Sequence, residues 1–279
     1  MRVSVVAAVV LAVFLTSQFA SAQQAQEAGV PLPSQPQVAL QQSVVPKTKL
    51  ELDEEAAAIF MAEKKYVEAD RIYQRLAREN PHNPAYPNFS GIAHIQMSDL
   101  DGARRMFERS VKADKKFSEG YHNLGTIWFS MKDYKKAIRE YQKALAMRPD
   151  TAQYYASMGY AYFNRNKIPE AIQSLQKALS LDPGVFDRSG RGGTVLSDRS
   201  VTDHGLFNFT MAKSYAQLGD AAHCAFYLRN AFRDGYKDMV KARTDPAFDR
   251  VRASPDVQMV LDQAAPLPAV DANAKSPGA

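Results

Sequence analysis

Apolar and small residues recur through the middle of the chain at the three- and four-residue spacing of amphipathic helices, and the whole arrangement returns after a fixed interval. Leu124-Gly125 is followed 34 residues later by Met158-Gly159. The same interval relates Tyr121 to Tyr155, Trp128 to Tyr162, Ala137 to Ala171, Tyr141 to Leu175, Ala144 to Ala178 and Pro149 to Pro183. Such a period predicts pairs of helices that bury their apolar faces by stacking on one another.

The period extends towards the amino terminus without a slip, although the match weakens. It predicts four units, at 50–83, 84–117, 118–151 and 152–185. The second unit departs most from the pattern because Pro87, Ser90 and Lys115 replace its usual aromatic, leucine and closing proline. Because proline favours the start of a helix, we expect the first helix of this unit to begin at or after Pro87.

This 34-residue helix-turn-helix pattern resembles the tetratricopeptide-repeat (TPR) family. The resemblance implies an all-α fold, a right-handed superhelix of about five repeats with a capping helix at its end. Small residues at Gly125, Gly159, Ala137 and Ala171 would then lie where paired helices approach closely. Pro149 and Pro183 would close the second helices, since proline cannot continue a helix.

The period breaks after the fourth unit and then resumes. Residues 186–204 are an insert, and 205–263 fit a fifth repeat-like unit with a turn at Gly219-Asp220, followed by a cap. The run from Thr244 to Arg252 resembles the segment that closes many bacterial TPR arrays, and we expect the last helix at about Pro255 to Gln263.

The two ends of the chain lie outside the predicted repeats. Residues 1–22 read as a signal peptide, with Arg2, an apolar run and the cleavage site Ala20-Ser21-Ala22, so we expect export to the periplasm or the medium and no stable membrane span after cleavage. Retention of the leader as an anchor is the alternative. The Gln- and Pro-rich stretch 23–49 is expected to be a disordered spacer, and 264–279 a disordered tail.

Charge and motifs favour a binding protein over an enzyme. The formal net charge of +5 is too mild, and the cations too dispersed, to indicate nucleic-acid binding. We find no nucleotide-binding, zinc-protease, redox or serine-hydrolase motif, and the five histidines lack metal-ligand spacing, so no catalytic residue, metal or cofactor is predicted. The lone Cys224 has an apolar helical context and is expected to be a buried, inert thiol.

The TPR resemblance implies that positions 2, 5, 6, 9, 12 and 13 of each repeat line a concave groove. The groove residues predicted to contact a partner are His122, Asn123, Thr126, Phe129, Tyr160, Phe163, Asn164, Phe209 and Lys213. Their amides could pair with the backbone of an extended peptide, and their aromatic rings could bury area against it. The alternative is that these rings pack inside the superhelix or against the insert. A clamp for a carboxylate is disfavoured because Gln153 and Ser157 replace its cations.

The leading hypothesis is a protein–protein interaction scaffold of the cell envelope that binds a peptide or protein in the concave groove. One alternative is an accessory subunit that docks on an envelope complex through its convex face. The other is a small-ligand binder or enzyme that uses the insert, whose Arg188, Arg191 and Arg199 could contact a ligand or partner. The sequence names neither the partner nor the oligomeric state.

Overall fold

The computed structural model describes residues 47–186, 201 and 203–264. The expected leader, most of the spacer and nearly all of the tail lie outside these residues. Within them the chain forms eleven α-helices and two short 3-10 helices, and no strand. None of these helices is both long and apolar enough to cross a membrane.

The helices follow one another as five pairs and a cap. The pairs are α1 Lys49–Ala62 with α2 Tyr66–Glu79, α3 Ala85–Gln96 with α4 Leu100–Ala113, α5 Ser118–Ser130 with α6 Tyr134–Met147, α7 Ala152–Asn164 with α8 Ile168–Leu181, and α9 His204–Leu218 with α10 Ala221–Arg233. Each helix packs on the one before it within the array. The predicted all-α repeat fold is confirmed.

The turn inside each pair is the same in all five. One residue adopts a left-handed conformation there, with φ between 57° and 62° at Lys64, Ser98, Lys132 and Asn166, and 85° at Gly219. The next residue then donates its N–H to a carbonyl five residues back, as Asp133 does to Trp128 at 2.8 Å. This bond satisfies a helix-end carbonyl and reverses the chain within three residues.

Paired helices approach closely at the predicted small residues. A Cβ atom on Gly125 would lie 2.6 Å from the Tyr141 ring and 3.2 Å from the Ala137 carbonyl oxygen. One period on, a Cβ atom on Gly159 would lie 2.8 Å from the Leu175 side chain. The glycines are therefore required by packing.

The helix predicted to begin at or after Pro87 begins earlier, at Ala85, so this prediction was wrong. Pro87 lies in the first turn of α3 and is buried. The first turn of a helix has no intrahelical acceptors for its N–H groups, so a proline there removes no hydrogen bond.

The fifth pair begins one residue before the predicted position. Asp203 caps α9 by accepting a hydrogen bond from the Leu206 N–H at 2.8 Å, so its carboxylate serves the helix end. Val201 is buried in the core that α9 shares with its neighbours. The remaining insert residues between 187 and 200, and residue 202, lie outside the described chain.

The cap consists of 3-10 helices at Met239–Arg243 and Pro246–Phe248 and of α11 at Pro255–Gln263. Phe248, Val257 and Val260 are buried, and they pack into the apolar cluster that runs from the third pair to the end of the described chain. The cap thus covers the apolar side of the last pair.

Candidate functional site

The first helices of neighbouring pairs lie side by side, and their polar side chains bond to one another across the boundary. Asn123 Nδ2 donates to Asn88 Oδ1 at 2.8 Å, and His122 Nε2 lies 3.0 Å from Ser157 Oγ. Both bonds join residues 35 apart, which is position 5 of one repeat and position 6 of the next. The predicted peptide-binding amide of Asn123 is therefore already used inside the fold.

His122 is buried among these polar contacts between neighbouring repeats. Its ring stacks on Tyr154 at 4.6 Å between centroids and lies 5.5 Å from the ring of Tyr141. Burial lowers the pKa of His122 to about 4, so the imidazole is neutral near pH 7. Thr126, one turn further along α5, is fully buried and donates its hydroxyl to the His122 carbonyl oxygen.

The predicted groove aromatics of the third and fourth repeats are buried rather than open. Phe129, Tyr160 and Phe163 expose only 4%, 5% and 4% of their surface. Tyr160 stacks on Phe207 at 5.0 Å, and Phe163 meets the same ring edge-on at 5.1 Å. The prediction that these rings line an accessible groove was wrong, because Tyr160 and Phe163 fill the space between α7 and α9, and Phe129 packs on Tyr134 of α6 at 5.1 Å. The alternative of internal packing describes them correctly.

Two further predicted residues hold the cap. Phe209 stacks on Tyr236 at 4.4 Å and packs against Phe248 at 5.6 Å. Lys213 Nζ forms an ion pair with Asp245 at 2.7 Å. These side chains occupy the positions at which a sixth repeat would pack, so they are corrected from groove contacts to cap contacts.

Asn164 remains partly exposed at the end of α7, but it also bonds within its own helix. Its Nδ2 donates to the Tyr160 carbonyl oxygen at 3.0 Å. Together these contacts show that the structure brings the predicted residues close to one another, yet uses most of them to join repeats.

The first two repeats present a different surface. At the same concave positions, Glu51, Glu54 and Glu55 are exposed on α1, and Phe89 on α3 is 42% exposed. Position 6, which holds the buried Asn123, Ser157 and Thr210 in later repeats, holds Phe89 here. Its ring rests on Tyr73 at 5.3 Å and leaves its other side to solvent.

The acidic residues of α1 are partly held by neighbours. Tyr86 donates its hydroxyl to Glu54 Oε1 at 2.6 Å, and Lys47 pairs with Glu55 at 2.5 Å. Glu51 completes a capping box with Thr48, and this contact lowers the pKa of the Glu51 carboxyl. Glu51 thus serves the start of α1, the helix that carries the acidic edge of the first repeat.

Sequence reasoning missed Phe89 because the weak second repeat was left out of the groove assignment. Reading the same six positions in that repeat would have singled out an aromatic where its neighbours carry polar residues.

Arg188, Arg191 and Arg199 lie outside the described residues. In the part of the chain that the structure describes, no group of His, Cys, Asp and Glu side chains is arranged to hold a metal ion. Cys224 is fully buried, which confirms the predicted burial, and this burial raises the pKa of its thiol to about 12.

Family models match part of the array directly. A TPR repeat model matches residues 125–166, and a tetratricopeptide repeat model matches 152–185. No curated protein matches the chain in sequence.

Solved structures with similar chain traces include several of MamA. A crystal structure of MamA has 19% identity and a TM-score of 0.47, covering 65% of this chain and 95% of that one. MamA 41-end from Desulfovibrio magneticus RS-1 has 18% identity and a TM-score of 0.48, covering 71% and 98%. The first TPR of Spaghetti (RPAP3), bound to the HSP90 peptide SRMEEVD, has 19% identity and a TM-score of 0.36, covering 47% and 91%. Likeness at this level carries no argument about partners.

The repeated helix pairs, their shared turn and the two family models lead to one conclusion: the chain contains tetratricopeptide repeats, and such repeats support a role as a protein–protein interaction scaffold.

Proposed function

We propose that this scaffold binds its partner through the concave side of its first two repeats, at the surface formed by Glu51, Glu54, Glu55 and Phe89. The observation that carries the proposal is the exposure of Phe89 at a position that is buried in the third, fourth and fifth repeats. An exposed aromatic ring supplies contact area at low entropic cost, and such rings are enriched among the residues that dominate binding energy.

The charge of this surface indicates the kind of partner. Between Lys49 and Ala62, helix α1 carries four carboxylates and one lysine. An acidic rim favours cationic partners by electrostatic steering, and the ring favours an apolar anchor. The proposed ligand is therefore a peptide segment with Lys or Arg beside an aromatic or aliphatic side chain.

Selection from a displayed peptide library tests this proposal. Peptides that bind the wild-type chain are expected to combine basic residues with an apolar anchor, and to bind Phe89→Ala roughly tenfold or more weakly, since truncating a central aromatic costs more than about 1.4 kcal/mol. Phe226→Ala is the matched control, because Phe226 is 49% exposed on the second helix α10. Equal binding to both variants would refute the assignment of the site.

A specific observation also favours docking through the second helices as a second candidate. Helices α4 and α6 together carry eight Lys and Arg against three Asp and Glu. Arg105, Arg109 and Arg139 are exposed on them and suit an acidic surface of a larger complex. If Arg105→Glu, Arg109→Glu and Arg139→Glu abolish association while Phe89→Ala does not, this candidate replaces the first.

We further propose that the chain acts after export, on the strength of its signal-like leader. Amino-terminal sequencing of the protein from the envelope fraction is expected to begin at Gln23. A chain that retains Met1 in the cytoplasm would contradict export.

The use of the 186–204 insert for a small ligand stays a hypothesis, and deletion of the insert with retained helicity tests it.

A further inference from the structure

The outer side of α1 is apolar and has no neighbour among the described residues. Leu52 and Ile59 are 52% and 50% exposed, and Ala56 lies between them. These three residues occupy positions 3, 10 and 7 of the first repeat.

The same positions are buried in every later repeat. Position 3 carries Tyr86, Tyr154 and Phe207 at 4%, 5% and 1% exposure, and position 10 carries Ala93, Ile127 and Ala161 at no more than 1%. There the second helix of the preceding repeat packs against the first helix. The α1 face is thus a repeat-stacking surface that lacks its partner.

Charge at the two ends of this face indicates which partner fits. The stripe runs Lys49, Leu52, Ala56, Ile59, Glu63, with alternating steps of three and four residues, so that the first four side chains lie along one line of α1 and Glu63 follows at its C-cap. It begins with a cation, ends with an anion and has its smallest side chain in the middle.

We propose that a second copy of this chain covers the stripe, with the two α1 helices antiparallel and related by a two-fold axis at Ala56. Lys49 then faces the partner subunit's Glu63, and Leu52 faces the partner subunit's Ile59. The small Ala56 side chains meet at the axis and allow the helices to approach. A parallel arrangement would place lysine on lysine and glutamate on glutamate, which is unfavourable.

The flanks of the stripe are compatible with this contact. Glu55 forms an ion pair with Lys47, and Asp53 forms one with Arg75 at 2.8 Å. The negative charge of both carboxylates is therefore balanced within the subunit, beside the partner. Glu63 pairs with Lys65 at 2.8 Å on the exposed surface, where such a contact holds a side chain only weakly. An interface formed by one helix from each subunit buries little surface area, so dimerisation depends on protein concentration.

Cysteine crosslinking tests the geometry. Under a mild oxidant Ala56→Cys forms a disulfide-linked dimer in the full chain, because the two-fold axis brings the paired sulfurs together. Ala146→Cys, exposed on α6, does not. The native Cys224 is fully buried and does not interfere. A failure of Ala56→Cys to crosslink, or equal crosslinking of both variants, overturns the proposal.

Charge reversal tests the pairing independently, with sedimentation velocity over a range of concentrations as the readout. Lys49→Glu and Glu63→Lys each weaken dimerisation about tenfold or more, and the double variant restores it. In a parallel dimer the single reversals exchange one like pair for another and change nothing. If the stripe is instead covered by the chain's own segment before Lys47 or by another protein, the chain sediments as a monomer throughout and the double variant restores nothing.

Leu52→Glu tests the apolar part of the proposed interface. It abolishes the dimer while circular dichroism stays unchanged, whereas Leu218→Glu, at a similarly exposed leucine on α9, leaves the dimer intact. These measurements use no binding partner, so their outcome is separable from that of the Phe89 site.

Discussion

Asn123 and His122 show how the repeat period decides what a side chain can do. Because neighbouring first helices lie side by side, position 5 of one repeat meets position 6 of the next, and polar residues placed there bond to each other. The 34-residue period assigns the two residues to positions 5 and 6 of the third repeat. It could not predict their pairing, because the 35-residue separation becomes a contact only when the inter-repeat geometry is known.

The neutral state of His122 makes stability depend on pH. Its folded pKa of about 4 lies below the ordinary value of 6.5, so protons bind preferentially to the unfolded chain. The contribution of His122 to the free energy of unfolding is therefore fully present above pH 6.5. It is lost as the pH falls towards 4, by about 3 kcal/mol in total. Urea unfolding of wild type and His122→Gln across this range measures the difference.

His122→Gln is expected to lack the loss of stability that protonation of His122 causes between pH 6.5 and 4. His82→Gln serves as the control, since His82 is exposed. Parallel pH profiles for wild type and His122→Gln would show that the ring is not enclosed as described.

Gly125 illustrates a residue that sequence pattern places correctly. Gly125→Ala forces a methyl group against the fully buried Tyr141 ring, and overpacking of this kind costs roughly 1–3 kcal/mol despite the better helix propensity of alanine. Thermal unfolding checks this cost, with Ala146→Gly as a measure of propensity alone. A stabilised Gly125→Ala variant would contradict the close approach.

At the scale of elements, the turns inside the pairs were the least predictable feature. Their left-handed residue is Lys64, Ser98, Lys132, Asn166 or Gly219, types with no common chemistry except that glycine and asparagine favour this conformation. Helices were easier, because their apolar spacing is strong and prolines mark their ends. α6 stops at Met147, two residues before Pro149, and α8 at Leu181, two before Pro183. Pro87 did not mark the first residue of α3, because proline is tolerated anywhere in the first turn of a helix.

Glycine is expected to stabilise such a turn. Lys132 holds φ at 62°, and a side chain in this region costs roughly 1–2 kcal/mol that glycine avoids, part of which is offset by the entropy of glycine in the unfolded chain. Lys132→Gly should therefore raise the free energy of unfolding by about 0.5 kcal/mol. Gln142→Gly, in the middle of α6, should lower it by about 1 kcal/mol. Destabilisation by both variants would argue against the left-handed turn.

At the scale of the whole molecule, the core is unevenly distributed. One apolar cluster joins the third, fourth and fifth repeats to the cap, whereas the first and second repeats hold smaller clusters. The sequence indicates this division only through the weaker match of its first two units. The pattern left open whether the aromatic rings at the concave positions of the last three repeats are exposed or packed inside, because burial there comes from contacts among residues far apart in the chain.

Local stability should follow this distribution. Native-state hydrogen exchange is expected to show lower opening free energies for amides in α1 and α2 than for those in α6 to α9, because contiguous repeats open in units set by their interfaces. Uniform protection from α1 to α9 would mean that the array unfolds as one unit.

Hydrogen exchange of the chain with and without a peptide obtained by selection tests the proposed binding site most directly. New protection is expected in Lys49–Ala62 and Ala85–Gln96, the helices that carry the acidic edge and Phe89, with little change elsewhere. Protection confined to Ser118–Ser130 and Ala152–Asn164, or to the second helices, would contradict it.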